Sequence, residues 1–122
     1  MGNPVVHFEV MGQDADTLQR FYRDAFGWQI ESVMPTYALV HPGGEGGIDG
    51  GVGSGTEGDS GHVTIYIEVP DLDQALARIE SLGGHRLQGP MNVEGDGPAL
   101  ATFEDPEGHL IGLIKARSMS GQ

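Results

Sequence analysis

Apolar and polar residues alternate most regularly over residues 62–69, His-Val-Thr-Ile-Tyr-Ile-Glu-Val. This period of two is typical of a half-buried strand. The apolar residues share one side, which we expect to pack under a helix: Val63, Ile65, Ile67 and Val69. The polar residues share the other side: His62, Thr64, Tyr66 and Glu68. Such a polar set indicates a recognition surface rather than an ordinary solvent-facing strand.

The same periodicities predict strand, helix and three strands, followed by the same order again. Strands are predicted at 5–10, 28–33, 37–41, 62–69, 86–87, 99–104 and 110–114, and helices at 16–26 and 72–82. Phe-Glu-Val at 8–10 matches Ile-Glu-Val at 67–69, so the chain contains an internal repeat. We therefore predict an α+β fold in a single domain, 1–122, made of two βαβββ modules at about 4–55 and 62–116. Their curved sheets are expected to enclose a shared cleft.

The segment 43–61 interrupts these patterns, because ten of its nineteen residues are glycine. Ile48 and Val52 predict at most a short edge strand in its middle. The rest is predicted to be flexible, either as a connector between the modules or as a lid over a pocket. The connector is the preferred interpretation, because loops of this kind join elements more often than they close over sites.

Composition limits the partners of this chain. Its 122 residues suffice for one hydrophobic core, and the absence of cysteine excludes disulfides, thiolate metal sites and cysteine nucleophiles. The net charge of −12 disfavours nucleic acid and anionic membranes and favours a cationic small molecule or a basic partner, although acidity also serves solubility alone. Without a leader or a long apolar run, the chain is expected to be cytoplasmic.

Three motifs stand out in the chain: Phe-Tyr-Arg-Asp-Ala-Phe-Gly-Trp at 21–28, the sixteen residues of 69–84, and Phe-Glu-Asp-Pro-Glu-Gly-His-Leu-Ile-Gly-Leu-Ile at 103–114. In this order and spacing they resemble the vicinal oxygen chelate superfamily, which includes glyoxalase I, bleomycin resistance proteins and extradiol dioxygenases. The resemblance covers nearly the whole chain and implies the fold more specifically than the function, because one scaffold hosts several chemistries.

Metal-dependent relatives hold a divalent cation with His and Glu side chains from four strands. The resemblance assigns three of those positions to Val5, Thr64 and Gly112, and the fourth lies near Asp49. His7 and His62 are each displaced by two residues, roughly 6.6 Å along a strand, whereas metal bonds are about 2.1 Å long. We therefore expect no family metal site and no cofactor. An alternative metal set, His7 with Asp49 and His62, is the weaker hypothesis.

The favoured function is a metal-independent binding protein of the bleomycin-resistance type, a homodimer that sequesters a bulky cationic or polyaromatic natural product. No catalytic residue is predicted. The residues expected to bind the ligand are His7, Glu9, Tyr37, Thr64, Tyr66, Glu68, Phe103 and Gly112, with Trp28 as a further aromatic surface. The alternative is a lyase or isomerase, metal-dependent or using His7 or Glu68 as a base. A regulatory module with a vestigial cleft is the third hypothesis.

Overall fold

The order strand, helix and three strands occurs twice in the chain. The structure, a computed structural model, describes residues 2–55, 61–92 and 98–116. Its elements are β1 (Val5–Gly12), α1 (Ala15–Phe26), β2 (Gln29–Met34), β3 (Tyr37–His41), β4 (Gly50–Ser54), β5 (His62–Val69), α2 (Leu72–Ser81), β6 (His85–Asn92), β7 (Ala99–Glu104) and β8 (Leu110–Lys115). The predicted α+β fold with two βαβββ modules is confirmed.

The chain divides into two compact units. The N-terminal unit comprises Val6–Ile65, and the C-terminal unit comprises Met1–Val5 and Tyr66–Gln122. The strand β5 therefore contributes its first four residues to one unit and its last four to the other. Neither helix of the described ranges is long and apolar enough to cross a membrane.

In the N-terminal unit the strands lie in the order β2-β3-β4-β1, where β4 is parallel to β1 and antiparallel to β3. The helix α1 begins at the N-cap Asp14, which accepts hydrogen bonds from the Thr17 amide and hydroxyl, and these bonds lower the pKa of the Asp14 carboxyl. It ends at Gly27, whose φ of 74° is left-handed. Four aromatic side chains pack together where α1 meets the sheet: Phe8, Tyr22, Phe26 and Trp28.

The glycine-rich segment contains an interior strand, which corrects the prediction of an edge strand. Residues of β4 pair with β3 on one side and with β1 on the other. Its first residue, Gly50, lies against the Phe8 ring, and a Cβ at that position would collide with the ring. The glycines of this strand therefore permit close packing of neighbouring side chains, whereas glycine content alone predicts a flexible segment.

In the C-terminal unit the strands lie in the order β5-β8-β7-β6, where β8 is parallel to β5 and antiparallel to β7. The helix α2 begins at the N-cap Asp71, which accepts a hydrogen bond from the Gln74 amide at 2.9 Å. Its apolar side packs on the sheet through a cluster of buried side chains: Val69, Leu72, Leu76, Ala101, Phe103 and Leu113.

Only half of the apolar side of β5 packs as predicted. Val69 belongs to the cluster under α2 and Ile67 packs against it. Val63 is 74% exposed and Ile65 is 38% exposed, so the prediction that these two side chains pack under a helix was wrong. The alternation identified which side chains share a side of the strand, but it could not indicate how far along the strand the helical cover extends.

Candidate functional site

Polar side chains from three strands form one hydrogen-bonded chain in the N-terminal unit. The Tyr37 hydroxyl on β3 lies 3.3 Å from Glu9 Oε2 and 3.2 Å from His7 Nε2, both on β1. His62 Nε2, on β5, lies 3.1 Å from Glu9 Oε1. An ionised carboxylate only accepts, so Tyr37 and His62 donate to Glu9, and His7 donates to the hydroxyl of Tyr37. The order of the chain is His7, Tyr37, Glu9, His62.

A glycine beneath Tyr37 makes this arrangement possible. Gly51 of β4 pairs with Glu9 on one side and with Leu39 on the other, so it lies between the strands that carry the two groups. The Tyr37 ring crosses β4 over Gly51, and a Cβ there would collide with its hydroxyl and ring atoms. Only glycine leaves room for the tyrosine to reach from β3 to β1.

The central carboxylate is partly protected from solvent, because the Glu9 side chain is 15% exposed and the His62 side chain is 30% exposed. Burial lowers the pKa of His7, and the negative charges of Glu9 and Asp49 oppose that shift. Burial therefore favours the neutral form of His7, and the hydrogen bond to Tyr37 favours the tautomer with its proton on Nε2. The Glu9 carboxylate is thus a negative group that accepts hydrogen bonds from Tyr37 and His62.

A third histidine of this unit, His41, lies between two carboxylates. His41 Nε2 is 2.9 Å from Glu31 Oε1, and His41 Nδ1 is 3.0 Å from Asp49 Oδ2. These hydrogen bonds, first to Glu31 and then to Asp49, raise the pKa of His41. No motif in the sequence predicts this cluster, because its three residues come together only through strand pairing.

The effect of pH on stability tests the cluster. The folded state raises the pKa of His41 above its ordinary value of 6.5, so His41 contributes stability fully below that pH and loses the contribution as pH rises through the raised pKa. Wild type should therefore be more stable than His41→Asn, and the difference between their free energies of unfolding should be larger at about pH 6 than at about pH 9. Urea unfolding at several pH values measures this difference.

The lowered pKa of His7 makes its own contribution to stability rise with pH, opposite to that of His41. Because His7 is present in both proteins, this contribution cancels when their free energies of unfolding are compared. A control, His85→Asn, changes an exposed residue at the start of β6. A difference between wild type and His41→Asn that does not depend on pH would contradict the assignment.

The residues present do not fit the metal site of the wider superfamily. Within 2–55, 61–92 and 98–116, no group of three or more His, Asp or Glu side chains is arranged to hold a metal ion. The weaker predicted set of His7, Asp49 and His62 does not form such a group: Asp49 is bonded by His41, and His62 bonds Glu9.

The space over Gly112, a predicted ligand-binding residue, is filled by the Tyr66 ring. Gly112 of β8 pairs with Tyr66 of β5 in the C-terminal unit. A Cβ at Gly112 would collide with the Tyr66 ring, so the ring lies over the glycine. Gly112, like Gly51, thus lies under a tyrosine ring, although Tyr66 pairs directly with Gly112 whereas Tyr37 pairs with Gly53.

Two predicted aromatic contact surfaces are occupied by packing. Phe103 is 8% exposed and belongs to the core under α2, so most of its ring is covered by protein, and its role in ligand binding stays a prediction. Its pairing partner Ile111 packs against the same core. Trp28 stacks on Tyr22 at 5.1 Å between ring centroids, within the aromatic cluster of α1. Alternation along β7 and β2 could not show which side of each strand the helix would cover.

The other predicted residues lie on β5. Thr64 is buried within the N-terminal unit, at 5% exposure. Glu68 is half-buried in the C-terminal unit, where its amide donates a hydrogen bond to the Pro4 carbonyl at 2.9 Å. Three predicted ligand-binding residues are thus joined by hydrogen bonds in one unit, His7, Glu9 and Tyr37, together with the weak metal candidate His62.

Sequence reasoning overlooked Gly51, the residue on which the hydrogen-bonded chain depends. A signal was present, because three of the four residues in 50–53 are glycine, next to an alternating strand that contains a tyrosine. Glycine inside a strand often marks a close approach by another group. That interpretation would have indicated β4 as the place where a side chain crosses the sheet.

Comparison with known proteins identifies the family. A family model described as a glyoxalase-like domain matches residues 7–114. No curated protein matches the chain significantly. Among solved structures, methylmalonyl-CoA epimerase in complex with methylmalonyl-CoA and NH4+ matches with a TM-score of 0.72 and 19% identity, over 97% of each chain.

Two further structures have the same fold. Methylmalonyl-CoA epimerase from Mycobacterium tuberculosis matches with a TM-score of 0.70 and 17% identity, over 98% of this chain and 91% of that one. A glyoxalase/bleomycin resistance protein/dioxygenase superfamily member from Vibrio splendidus 12B01 matches with a TM-score of 0.67 and 16% identity, over 93% and 99%. These TM-scores establish a shared fold, and the family match covers most of the chain. The chain belongs to the glyoxalase-like family of the vicinal oxygen chelate superfamily.

Proposed function

We propose that this protein binds a small cationic organic molecule on the polar side of the N-terminal unit, which is the side that carries His7, Glu9, Tyr37 and His62. The observation that carries the proposal is the Glu9 carboxylate, held by Tyr37 and His62 at a partly buried position. A carboxylate with fixed oxygens and few competing waters pairs strongly with an ammonium or guanidinium group. The net charge of −12 would further favour encounter with a cation.

Sequestration of a natural product, as in bleomycin resistance, is the form of binding we favour. Within the predicted ligand class, a cation suits the polar side better than a polyaromatic molecule, because Phe103 and Trp28 are occupied by packing. Tyr37 remains the aromatic group of the hydrogen-bonded chain. Affinity would then depend more on charge and hydrogen bonds than on stacking.

The test is calorimetric titration with bleomycin and with smaller aliphatic polyamines. Glu9→Gln keeps the shape of the side chain and removes its charge, so it should weaken the binding of a cation by about tenfold or more, because hydrogen bonds to charged groups contribute about 1.5–3 kcal/mol. Glu107→Gln, a change at an exposed turn residue, should leave the affinity unchanged. If no cationic ligand distinguishes Glu9→Gln from wild type, the proposal is wrong.

A second candidate function is proton transfer at a carbon next to a carbonyl group, as in an isomerase. It is favoured by the continuous hydrogen-bonded chain and by the fold shared with methylmalonyl-CoA epimerases. Glu9 would accept the proton from carbon and return it, while Tyr37 and His62 hold the carboxylate in one orientation. The structure places Glu68, a base candidate from the sequence, in the other unit.

Deuterium exchange separates catalysis from binding alone. Methylmalonyl-CoA and smaller 2-substituted thioesters would be incubated with the protein in D2O, with and without added divalent metals, and followed by proton NMR. Enzyme-dependent loss of the signal from the hydrogen next to the carbonyl is expected of an isomerase, and Glu9→Gln should abolish it while Glu68→Gln should not. Absence of exchange for all substrates would leave the binding function as the better account.

A further inference from the structure

A separate apolar pocket lies in the C-terminal unit, on the side of its sheet that α2 covers. Its volume is about 260 Å³. Val69, Phe103 and Leu113 form its nearly buried floor, while Ala75 and Ile79 of α2 line one wall. Leu82, two-thirds exposed, lies at its rim. The hydrogen-bonded chain of the N-terminal unit contributes no residue to this pocket.

The pocket exists because α2 carries a small residue where it faces the sheet. Leu76 is fully buried, whereas its neighbour Ala75 is only partly buried and ends at Cβ, so it fills less of the space above the floor. Apolar surface left open in this way is favourable for a hydrocarbon group, which would remove it from water.

The polar groups at the pocket indicate the charge of its ligand. Asn3 and Arg78 are the two polar residues among those that line it. In the described part of the chain, the Arg78 guanidinium takes part in no hydrogen bond or ion pair. An arginine beside an apolar pocket complements a carboxylate attached to a hydrocarbon chain, because its planar donors match the two carboxylate oxygens.

We propose that this pocket binds a medium-chain acyl anion, whose hydrocarbon chain lies between α2 and the sheet and whose carboxylate pairs with Arg78. The volume is just below the range of about 300–1,000 Å³ typical of sites for drug-sized ligands, which suits a medium-length acyl chain better than a long one. The net negative charge of the protein acts at long range and is screened at physiological ionic strength, whereas the pairing with Arg78 is a short-range contact.

Arg78 also has a plainer role that the experiment must separate. It lies in the last turn of α2, where a positive charge stabilises the helix dipole. Arg23 occupies the equivalent place in the last turn of α1, where it pairs with Asp24 at 3.1 Å. Arg23→Gln is therefore a matched control, because it removes the same charge at the same position of a helix that does not line the pocket.

Calorimetric titration with hexanoate, octanoate and decanoate tests the proposal at about 0.15 M salt, where screening acts over about 8 Å. Each added methylene should tighten the dissociation constant by about fourfold until the pocket is full. Arg78→Gln should weaken octanoate binding by about tenfold or more and leave 1-octanol binding unchanged. Arg23→Gln and Glu9→Gln should bind octanoate as wild type does.

Ala75→Leu would fill the pocket and should abolish octanoate binding, provided that circular dichroism shows a folded protein. Arg78 is exposed, so its variant gives an independent result if Ala75→Leu is unstable. Absence of saturable octanoate binding to wild type would overturn the proposal. Equal weakening by Arg78→Gln and Arg23→Gln would also overturn it, since it would show that the charge acts through the helix or the net charge rather than at the pocket.

Discussion

Replacing Gly51 by alanine is expected to lower the free energy of unfolding by about 1–3 kcal/mol, the usual cost of inserting an atom into a packed site. The new Cβ would occupy the place of the Tyr37 hydroxyl and ring edge. Tyr37 would have to swing away, which breaks its hydrogen bonds to His7 and Glu9. Urea unfolding measures the loss of stability, and titration with the cationic ligand measures the loss of the site.

A double-mutant cycle attributes this effect to Tyr37. In a Tyr37→Ala background the ring is absent, so Gly51→Ala should cost little or even stabilise, because alanine restricts the unfolded chain. Gly2→Ala is the control glycine substitution, since a Cβ there would contact nothing within 4 Å. An equal cost of Gly51→Ala in both backgrounds would show that the tyrosine does not lie over this glycine.

Two valines on the same side of β5 should respond very differently to the same substitution. Val69→Ala is expected to lower the free energy of unfolding by about 2 kcal/mol, because it removes two methyl groups from the core under α2. Val63→Ala should change it by no more than about 0.5 kcal/mol, as is usual for exposed positions. The exposures of 4% and 74% are the physical reason for the difference.

Urea unfolding of both variants at one pH measures the contrast, and each valine serves as the control for the other. The residue type, the strand and the direction of the side chain are shared, so intrinsic strand propensity contributes nearly equally. Similar losses of unfolding free energy at both positions would mean that Val63 is covered by apolar contacts in solution, contrary to its exposure of 74%.

The local elements were predictable because each depends on residues close in sequence. The alternation over His62–Val69 predicted β5 with its exact bounds, and Ala99–Glu104 was likewise predicted as β7. The helix α1 was predicted within one residue, since helical spacing and Gly27 mark its extent. By contrast, β4 was misread, because its glycines resemble a flexible segment when their neighbours in space are unknown.

The candidate site was predictable only as a set of residues on one side of their strands. Alternation along a strand puts His7 and Glu9 on the same side of β1, and Tyr37 is the first residue of β3. The hydrogen bonds among these three side chains depend on the register of β1, β4 and β3. This register sets Glu9 opposite Gly51 and brings the Tyr37 ring over that glycine. Strand register is a long-range property and cannot be obtained from local periodicity.

The sequence by itself determined the α+β class, the repeated βαβββ order, the polar side of β5 and the resemblance to the vicinal oxygen chelate superfamily. These follow from periodicity and short motifs, which local residues specify. The tertiary structure alone decided that Tyr37 crosses β4 to bond Glu9, that Phe103 lies in the core, and that Ala75 leaves a pocket under α2. Each of these depends on how strands pair and where helices lie on them, which is decided by packing between distant residues.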